Sequence, residues 1–367
     1  LGTVLNPYVQ LTTALAAKLV DAATTTYVFK LAPGEYTGGV DINHTNALQS
    51  FSIVGSGENN TFVQAGANWN AGRATDCLQF RDFVNVEISD LCIRYAAYGF
   101  YPRSCARVVL RNVRFVNCGS DGTVNRHDQS GTQAEQAAHW AGNKTSNGGA
   151  CRIRSITEVA IYDCAVEYCA RGLRIQDCGN SATASIVSGC KTYRTLEAGI
   201  YLAAGGYTGA TGCVNFLITG CQVFESSNNG ILLIGGSSNT VQACNVVRSG
   251  NCGIQQWHGL DNRIIGNSIY DCNRTVHNGI GAVNGDAYGA IAVDGNSDIG
   301  TGSYAAIIQN NSMMKCNQGG ESSIIGISID RDTADAYPTA SNKIVVDSNN
   351  TDAAVRIFNP NSFPVVA

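Results

Sequence analysis

The feature that most narrows what this chain can fold into is a repeat. Glycine followed by alternating aliphatics opens Gly172-Leu-Arg-Ile175, Gly199-Ile-Tyr-Leu202, Gly230-Ile-Leu-Leu233, Gly253-Ile-Gln-Gln256, Gly289-Ala-Ile-Ala-Val293 and Gly326-Ile-Ser-Ile329. The glycines stand 27, 31, 23, 36 and 37 residues apart. A unit of about 22–24 residues with loop insertions accounts for these intervals. A second marker recurs between them: Ile161-Tyr-Asp-Cys164, Ile218-Thr-Gly-Cys221 and Val241-Gln-Ala-Cys244 superpose, with a looser match at Val187-Ser-Gly-Cys190. Each unit holds short strands of alternating pattern, punctuated by Gly, Asn or Asp. Strands this short cannot make a stable sheet alone, but stacked coils pair equivalent strands in parallel around one continuous core. The spacing therefore predicts an all-β parallel β-helix. A propeller would need longer strands joined by hairpin turns, and β-branched strands with Asn/Gly punctuation exclude helical repeats.

The ends extend this prediction. Residues 6–24 read as an amphipathic helix with Asn6 as N-cap and Pro7 at its first position. Such a helix would cover the open end of the solenoid, where core and strand edges are otherwise exposed. The expected organisation is a capping segment at 1–26, then a β-helix over 27–367 interrupted by an insertion at 119–150. Strand patterns persist at 342–358 with no second capping helix, so a continuing chain or a partner is expected to cover that end.

The N-terminal helix, the Leu31-Ala-Pro-Gly-Glu-Tyr36 turn, the Ser52-Ile-Val-Gly-Ser-Gly57 coil and the Asn/Cys/Gly-Ile units resemble the pectin-lyase-like right-handed β-helix superfamily. Within it they are most similar to bacteriophage tailspikes, over nearly the whole chain. The resemblance implies a right-handed single solenoid and a role on polysaccharides. Members include lyases, hydrolases, epimerases and fructotransferases, so the fold does not choose a reaction. A tailspike would be a homotrimer in the virion, made in the host cytoplasm; a secreted enzyme is the alternative location.

Composition removes other classes. Lys+Arg 24 against Asp+Glu 28 leaves a formal charge of -4, and no basic run appears, so nucleic acid is not an expected partner. No apolar run is long enough to span a bilayer. The 15 cysteines contain no C-x-x-C pair, so zinc-ribbon spacing is missing. Cys164, Cys190, Cys221 and Cys244 align in one column, while Cys118, Cys169, Cys252, Cys272 and Cys316 fall near a second. Buried free thiols behave as small hydrophobes, so internal stacks of reduced cysteine are expected. Disulfides between adjacent coils are the alternative that geometry allows. Reduced stacks point to synthesis in a reducing cytosol.

Alternation along the restart strands predicts what faces outward. Leu173/Ile175, Ile200/Leu202, Ile231/Leu233, Ile291/Val293 and Ile327/Ile329 should point in. One outward column then reads Arg174, Tyr201, Leu232, Gln255, Ala292, Ser328, and the next reads Gln176, Ala203, Ile234, Trp257, Asp294, Asp330. Sugars stack on aromatics and hydrogen-bond to carboxylates, amides and Arg. The expected substrate-binding residues are accordingly Trp257, Gln255, His258, Arg174 and Tyr201. Asp294 and Asp330 are the expected catalytic pair: on neighbouring coils their carboxyls would lie about 5 Å apart, near the retaining-glycosidase separation. Substituting Asp332 or Asp286 for one of them would give a wider, inverting pair. Against this, an Asp at a strand end is commonly a turn former.

The insertion 119–150 is a second candidate, because loops of this length are often functional. It carries His127, Glu135, His139 and Trp140, with Glu135 and His139 spaced for one face of a short helix; Trp140 would extend a glycan groove or touch a neighbouring subunit. As a metal set it is unspecific, and no metal or cofactor is expected. The pectate-lyase calcium ladder is missing, as are the P-loop and the G-x-S-x-G elbow. The sequence reading is a spike that binds, and by carboxylate chemistry cuts, a bacterial surface polysaccharide (capsule or O-antigen). A non-catalytic adhesin and a secreted lyase or epimerase are the alternatives.

Overall fold

The computed structural model describes residues 11–19, 26–43, 49–68, 74–119, 148–204, 212–257, 259–272, 290–295, 306–315, 325–331, 344–351 and 354–357. Among these, every strand pairing is parallel, and the partner always lies one coil further along the chain. The result is a parallel β-helix, as the repeat requires. One ladder forms an 11-stranded sheet running from Val40–Asn43 through Leu78–Arg81, Tyr98–Arg103, Gly149–Arg154, Leu173–Gln176, Ile200–Ala203, Ile231–Ile234, Ile254–Trp257, Ile291–Gly295 and Ile325–Arg331 to Ala354–Ile357. Two further ladders merge into a 20-stranded sheet because Asn85–Ala96 and Arg107–Cys118 run unbroken through both.

Alternation sets the core. Leu173, Ile175, Ile200, Leu202, Ile231, Leu233, Ile291, Val293, Ile327 and Ile329 are all buried, as the pattern predicts. The helix Leu11–Leu19 lays Leu11, Leu15 and Leu19, spaced four apart on one face, onto the same core. The expected N-cap Asn6 lies outside the described residues.

The corners explain the cysteines. Where the two ladders of the larger sheet meet, each coil turns on one residue with positive φ: Asp90, Asn112, Asp163, Gly189, Gly220, Ala243, Gly266, Asn310 and Ser348. Asp and Asn tolerate this region better than other side-chain-bearing residues, and Gly best of all. The next residue points inward, and in successive coils it is Leu91, Val113, Cys164, Cys190, Cys221, Cys244, Asn267, Asn311, Asn349. The column thus passes from aliphatic to thiol to amide. Each thiol donates to the carbonyl two residues back, as Cys164 does to Tyr162 O at 3.3 Å and Cys244 to Gln242 O at 3.3 Å. The amides do more. Asn267 Oδ1 accepts the Cys244 N–H at 3.0 Å, Asn311 Oδ1 accepts that of Asn267, and Asn349 Oδ1 accepts that of Asn311. Cysteine here is a small, weakly polar filler of a turn that asparagine caps elsewhere.

The fourteen described cysteines are all free and buried, which leaves the reduced stack and removes the coil-to-coil disulfide among them. Cys118, Cys169 and Cys272 share the second column with Thr195, Ser226 and Ser249. Cys252 does not. It precedes a restart strand, in line with Ala198 and Asn229, and Ser249 fills the second-column place of its coil. Cys316 lies outside the described residues.

The restart glycines are a close-approach requirement. A Cβ on Gly172 would run into the Gly199 carbonyl oxygen of the next coil, and one on Gly230 would stand 2.6 Å from Gly253 O. Backbone cannot yield there as a flexible side chain would. Gly172→Ala is therefore expected to lower stability by about 1–3 kcal/mol, the usual cost of overpacking, read as a fall in the denaturation midpoint. An unchanged midpoint would mean that the coils separate freely at this corner.

Candidate functional site

The outward side of the 11-stranded sheet gathers most of the residues expected to act. Register pairs Arg174 with Tyr201, Tyr201 with Leu232, Leu232 with Gln255, Gln255 with Ala292 and Ala292 with Ser328. In the neighbouring column Ile234 pairs with Trp257, Trp257 with Asp294, and Asp294 with Asp330. Asp294 and Asp330 thus occupy equivalent positions on adjacent coils, with backbones about 4.8 Å apart. Their side chains, like His258 and Trp140, lie outside the described residues, as do His127, Glu135, His139, Asp286 and Asp332.

The middle of this face is apolar. Leu232, Ile234 and Ala198 are buried as a small cluster of their own, and half-buried Tyr201 and Trp257 pack against it. Trp257 therefore combines a ring edge on a firm apolar base with a partly open surface, as a sugar-stacking platform needs. Gln255 differs from expectation in exposure. It is 6% exposed, and its Oε1 accepts the Asn229 Nδ2–H at 2.7 Å, which ties the side chain to the scaffold.

Toward the N-terminal coils the same two columns become basic and aromatic. Arg81 pairs with Arg103, and Arg103 with Arg154; alongside, Arg152 pairs with Arg174. The guanidinium of Arg103 lies 5.3 Å from the centre of the Tyr101 ring, that of Arg152 also 5.3 Å from Tyr101, and that of Arg174 5.3 Å from Tyr201. Of these residues sequence reading found only Arg174 and Tyr201. The alternation in Gly149-Ala-Cys-Arg-Ile-Arg154 was a usable signal, but it follows the long insertion and falls outside the regular spacing. Asp76 sits beside the group and accepts the Tyr98 N–H at 3.0 Å. Burial raises its carboxyl pKa; the Tyr98 hydrogen bond and the Arg152 charge draw it back only in part.

The face thus runs from cationic, through apolar-aromatic, to a pair of register-matched aspartates. Solved structures share this architecture. The A-module of a mannuronan C-5 epimerase from Azotobacter vinelandii is similar over 97% of this chain and 94% of its own, at 13% identity and a TM-score of 0.52. The catalytic domain of a GH87 α-1,3-glucanase, solved with tetrasaccharides, is similar over 91% of this chain and 62% of its own, at 13% identity and a TM-score of 0.57. DFA-IIIase from Arthrobacter chlorophenolicus, solved with DFA-III, is similar over 91% of this chain and 77% of its own, at 13% identity and a TM-score of 0.51. The shared fold is a parallel β-helix. At such identities the likeness speaks for the fold alone.

No curated protein matches the chain in sequence. A family model described as periplasmic copper-binding protein (NosD) matches residues 129–291, less than half of the chain. Copper ligation draws on accessible Cys, Met and His. Among the described residues no group of three or more His, Cys, Asp or Glu is set to hold a metal ion. The described cysteines within that span are all buried. These described residues do not fit a copper centre. No described helix is long and apolar enough to cross a membrane.

Proposed function

We propose that this β-helix binds a bacterial surface polysaccharide along the outward face of its 11-stranded sheet and cleaves it by carboxylate-based endo-glycoside hydrolysis. The observation that carries the reading is the register Trp257–Asp294–Asp330 on three successive coils. Trp257 would stack under a sugar ring, with Tyr201 extending the platform. One aspartic acid protonates the glycosidic oxygen as the C–O bond breaks. The other, as carboxylate, attacks the anomeric carbon or stabilises its oxocarbenium-like charge; water then releases the sugar and the first residue takes back a proton. Adjacent coils suit the short carboxylate separation of the retaining route. Asp332 or Asp286 in place of one partner would suit inversion.

The carrier of this activity is proposed to be a tailspike-like receptor-binding body, homotrimeric and virion-borne. The support is the interior of free thiols, which suits assembly in a reducing cytosol rather than oxidative secretion. Sedimentation at micromolar concentration tests the trimer, and a stable monomer would end that part of the reading.

Purified protein incubated with a panel of capsules and O-antigens tests the chemistry. Hydrolysis is expected to release reducing ends with no gain in the ultraviolet absorbance of an unsaturated uronate. A gain in that absorbance would replace hydrolysis by a lyase reaction, and binding without product would leave a glycan-binding adhesin.

A further inference from the structure

The described arginines differ between the two sheets. Most of those on the 20-stranded sheet and its corners are neutralised between coils: Arg107 by Glu158 at 2.8 Å, Arg114 by Glu167 at 2.7 Å, Arg111 by Glu87 at 3.5 Å and Arg194 by Glu225 at 2.9 Å, while Arg263 stands exposed there with no ion pair among the described residues. On the 11-stranded sheet, Arg81 reaches Asp41 only at 3.9 Å. Among the described residues no carboxylate lies within ion-pair distance of Arg103, Arg152, Arg154 or Arg174. These four occupy three consecutive coils, half-buried, with Arg103, Arg152 and Arg174 set against tyrosine rings. Arg152 is steadied by Gln176 Oε1 at 3.1 Å, a neutral acceptor, and the buried Nε of Arg174 has no hydrogen-bond partner. Like charges stacked about 4.8 Å apart repel one another. Four half-buried arginines stacked on adjacent coils without a carboxylate, in a fold that pairs most of its other described arginines, are donors kept for an anion from outside.

We infer that Arg103, Arg152, Arg154 and Arg174 form an anionic subsite, and that the polysaccharide bound along this face is acidic. The inference rests on the reading of the face as glycan-binding and adds the substrate class. A chain lying along the helix axis meets at least one guanidinium fork per coil there, and the fork matches a carboxylate, sulfate or phosphate group bidentately. The tyrosine rings hold the guanidiniums flat by cation–π contact and offer the sugar an apolar surface. The subsite begins about 10–15 Å, two to three coils, from Trp257, so an acidic residue held here sets the register of the chain over Asp294 and Asp330.

The test measures binding, by calorimetry, of polygalacturonate, dextran sulfate and neutral dextran to the Asp294→Asn protein, in which turnover is expected to be slow. At least one polyanion is expected to bind more than tenfold tighter than neutral dextran, with affinity falling as salt rises. Polygalacturonate leading indicates a uronate substrate; dextran sulfate leading indicates an ester-bearing one. Arg103→Gln/Arg154→Gln is expected to lose at least tenfold in polyanion affinity, while Arg111→Gln on the other sheet loses none. Circular dichroism and the unfolding midpoint confirm that each variant folds. Equal binding of all three glycans, binding of none, or polyanion affinity equal in the double variant and in Arg111→Gln would overturn the inference. Any of these would leave the hydrolysis reading to its own product assay, so the two fail separately.

Discussion

Asp294→Asn and Asp330→Asn are each expected to slow depolymerisation of the cognate glycan by about 10²–10⁴-fold, the usual contribution of a positioned acid or base. Asparagine keeps the size of the side chain and its capacity for hydrogen bonds, but it neither donates a carboxylic proton nor attacks as a carboxylate. Binding should survive, because the substitutions leave Trp257 and the arginine coils unchanged. The expected result is a fall in turnover with little change in affinity, measured as reducing ends released per enzyme alongside calorimetric binding. Asp163→Asn supplies the control. Asp163 turns a corner of the 20-stranded sheet with φ 52, a conformation asparagine also adopts, so activity should be unchanged. If both catalytic-face variants keep full activity, the aspartates are turn formers and the hydrolase reading fails.

The protein should lose stability steeply as the pH rises above about 8.5, where thiols of an unfolded chain begin to ionise. Burial pushes the Cys105 and Cys272 thiols up to about 11 and those of Cys92 and Cys213 up to about 12. Cys77, Cys118, Cys151 and Cys178 are pushed up as well, by burial and, in Cys118, by a hydrogen bond with Cys169, whereas in the stack of Cys190, Cys221 and Cys244 the shared hydrogen bonds draw Cys221 down as they push its neighbours up. For the raised thiols outside that stack, folded pKa values exceed the unfolded ones, so the stability they contribute is fully present below about 8.5. Between that pH and their folded values the folded chain holds protons that the unfolded chain has shed, and each thiol loses about 1.4 kcal/mol per pH unit. Several such thiols titrating together make the dependence large against the marginal stability of a typical domain. Denaturation midpoints under reductant should therefore fall sharply from pH 8 to pH 10. Cys105→Val with Cys272→Val should flatten the curve. A flat midpoint over this range would show that the thiols are not buried as protonated side chains.

Much of this architecture is legible in the residues because a parallel solenoid turns sequence alignment into spatial neighbourhood. Once the restart glycines are superposed, period-two alternation fixes which side chains enter the core, and each aligned column becomes a ladder. That is why the expected neighbours Trp257, Asp294 and Asp330 are register partners, although the intervals between their coils vary. The same logic fails at a corner that buries more than one residue, because either can be matched to a column. Cys252 aligns with the second thiol column by eye, yet Ser249 holds that place in its coil and Cys252 lies just before the strand Ile254–Trp257. It fails again in the N-terminal coils, where Tyr98-Gly-Phe-Tyr101 and Gly149-Ala-Cys-Arg152 carry glycine but the insertion between them hides the period. Arg103, Arg152 and Arg154 went unread for that reason.

The sequence by itself determined the coil, its inward columns and the alignment of the two aspartates, since these follow from alternation and glycine spacing within each unit. Only the tertiary structure decided which charges are neutralised. The partners Arg107 and Glu158 stand 51 residues apart, as the guanidinium of one coil meets the carboxylate of another across the insertion. A local pattern carries no information about which carboxylate will arrive on which face. It is the stacking of coils that brings glutamates to one sheet and leaves the arginines of the other without them.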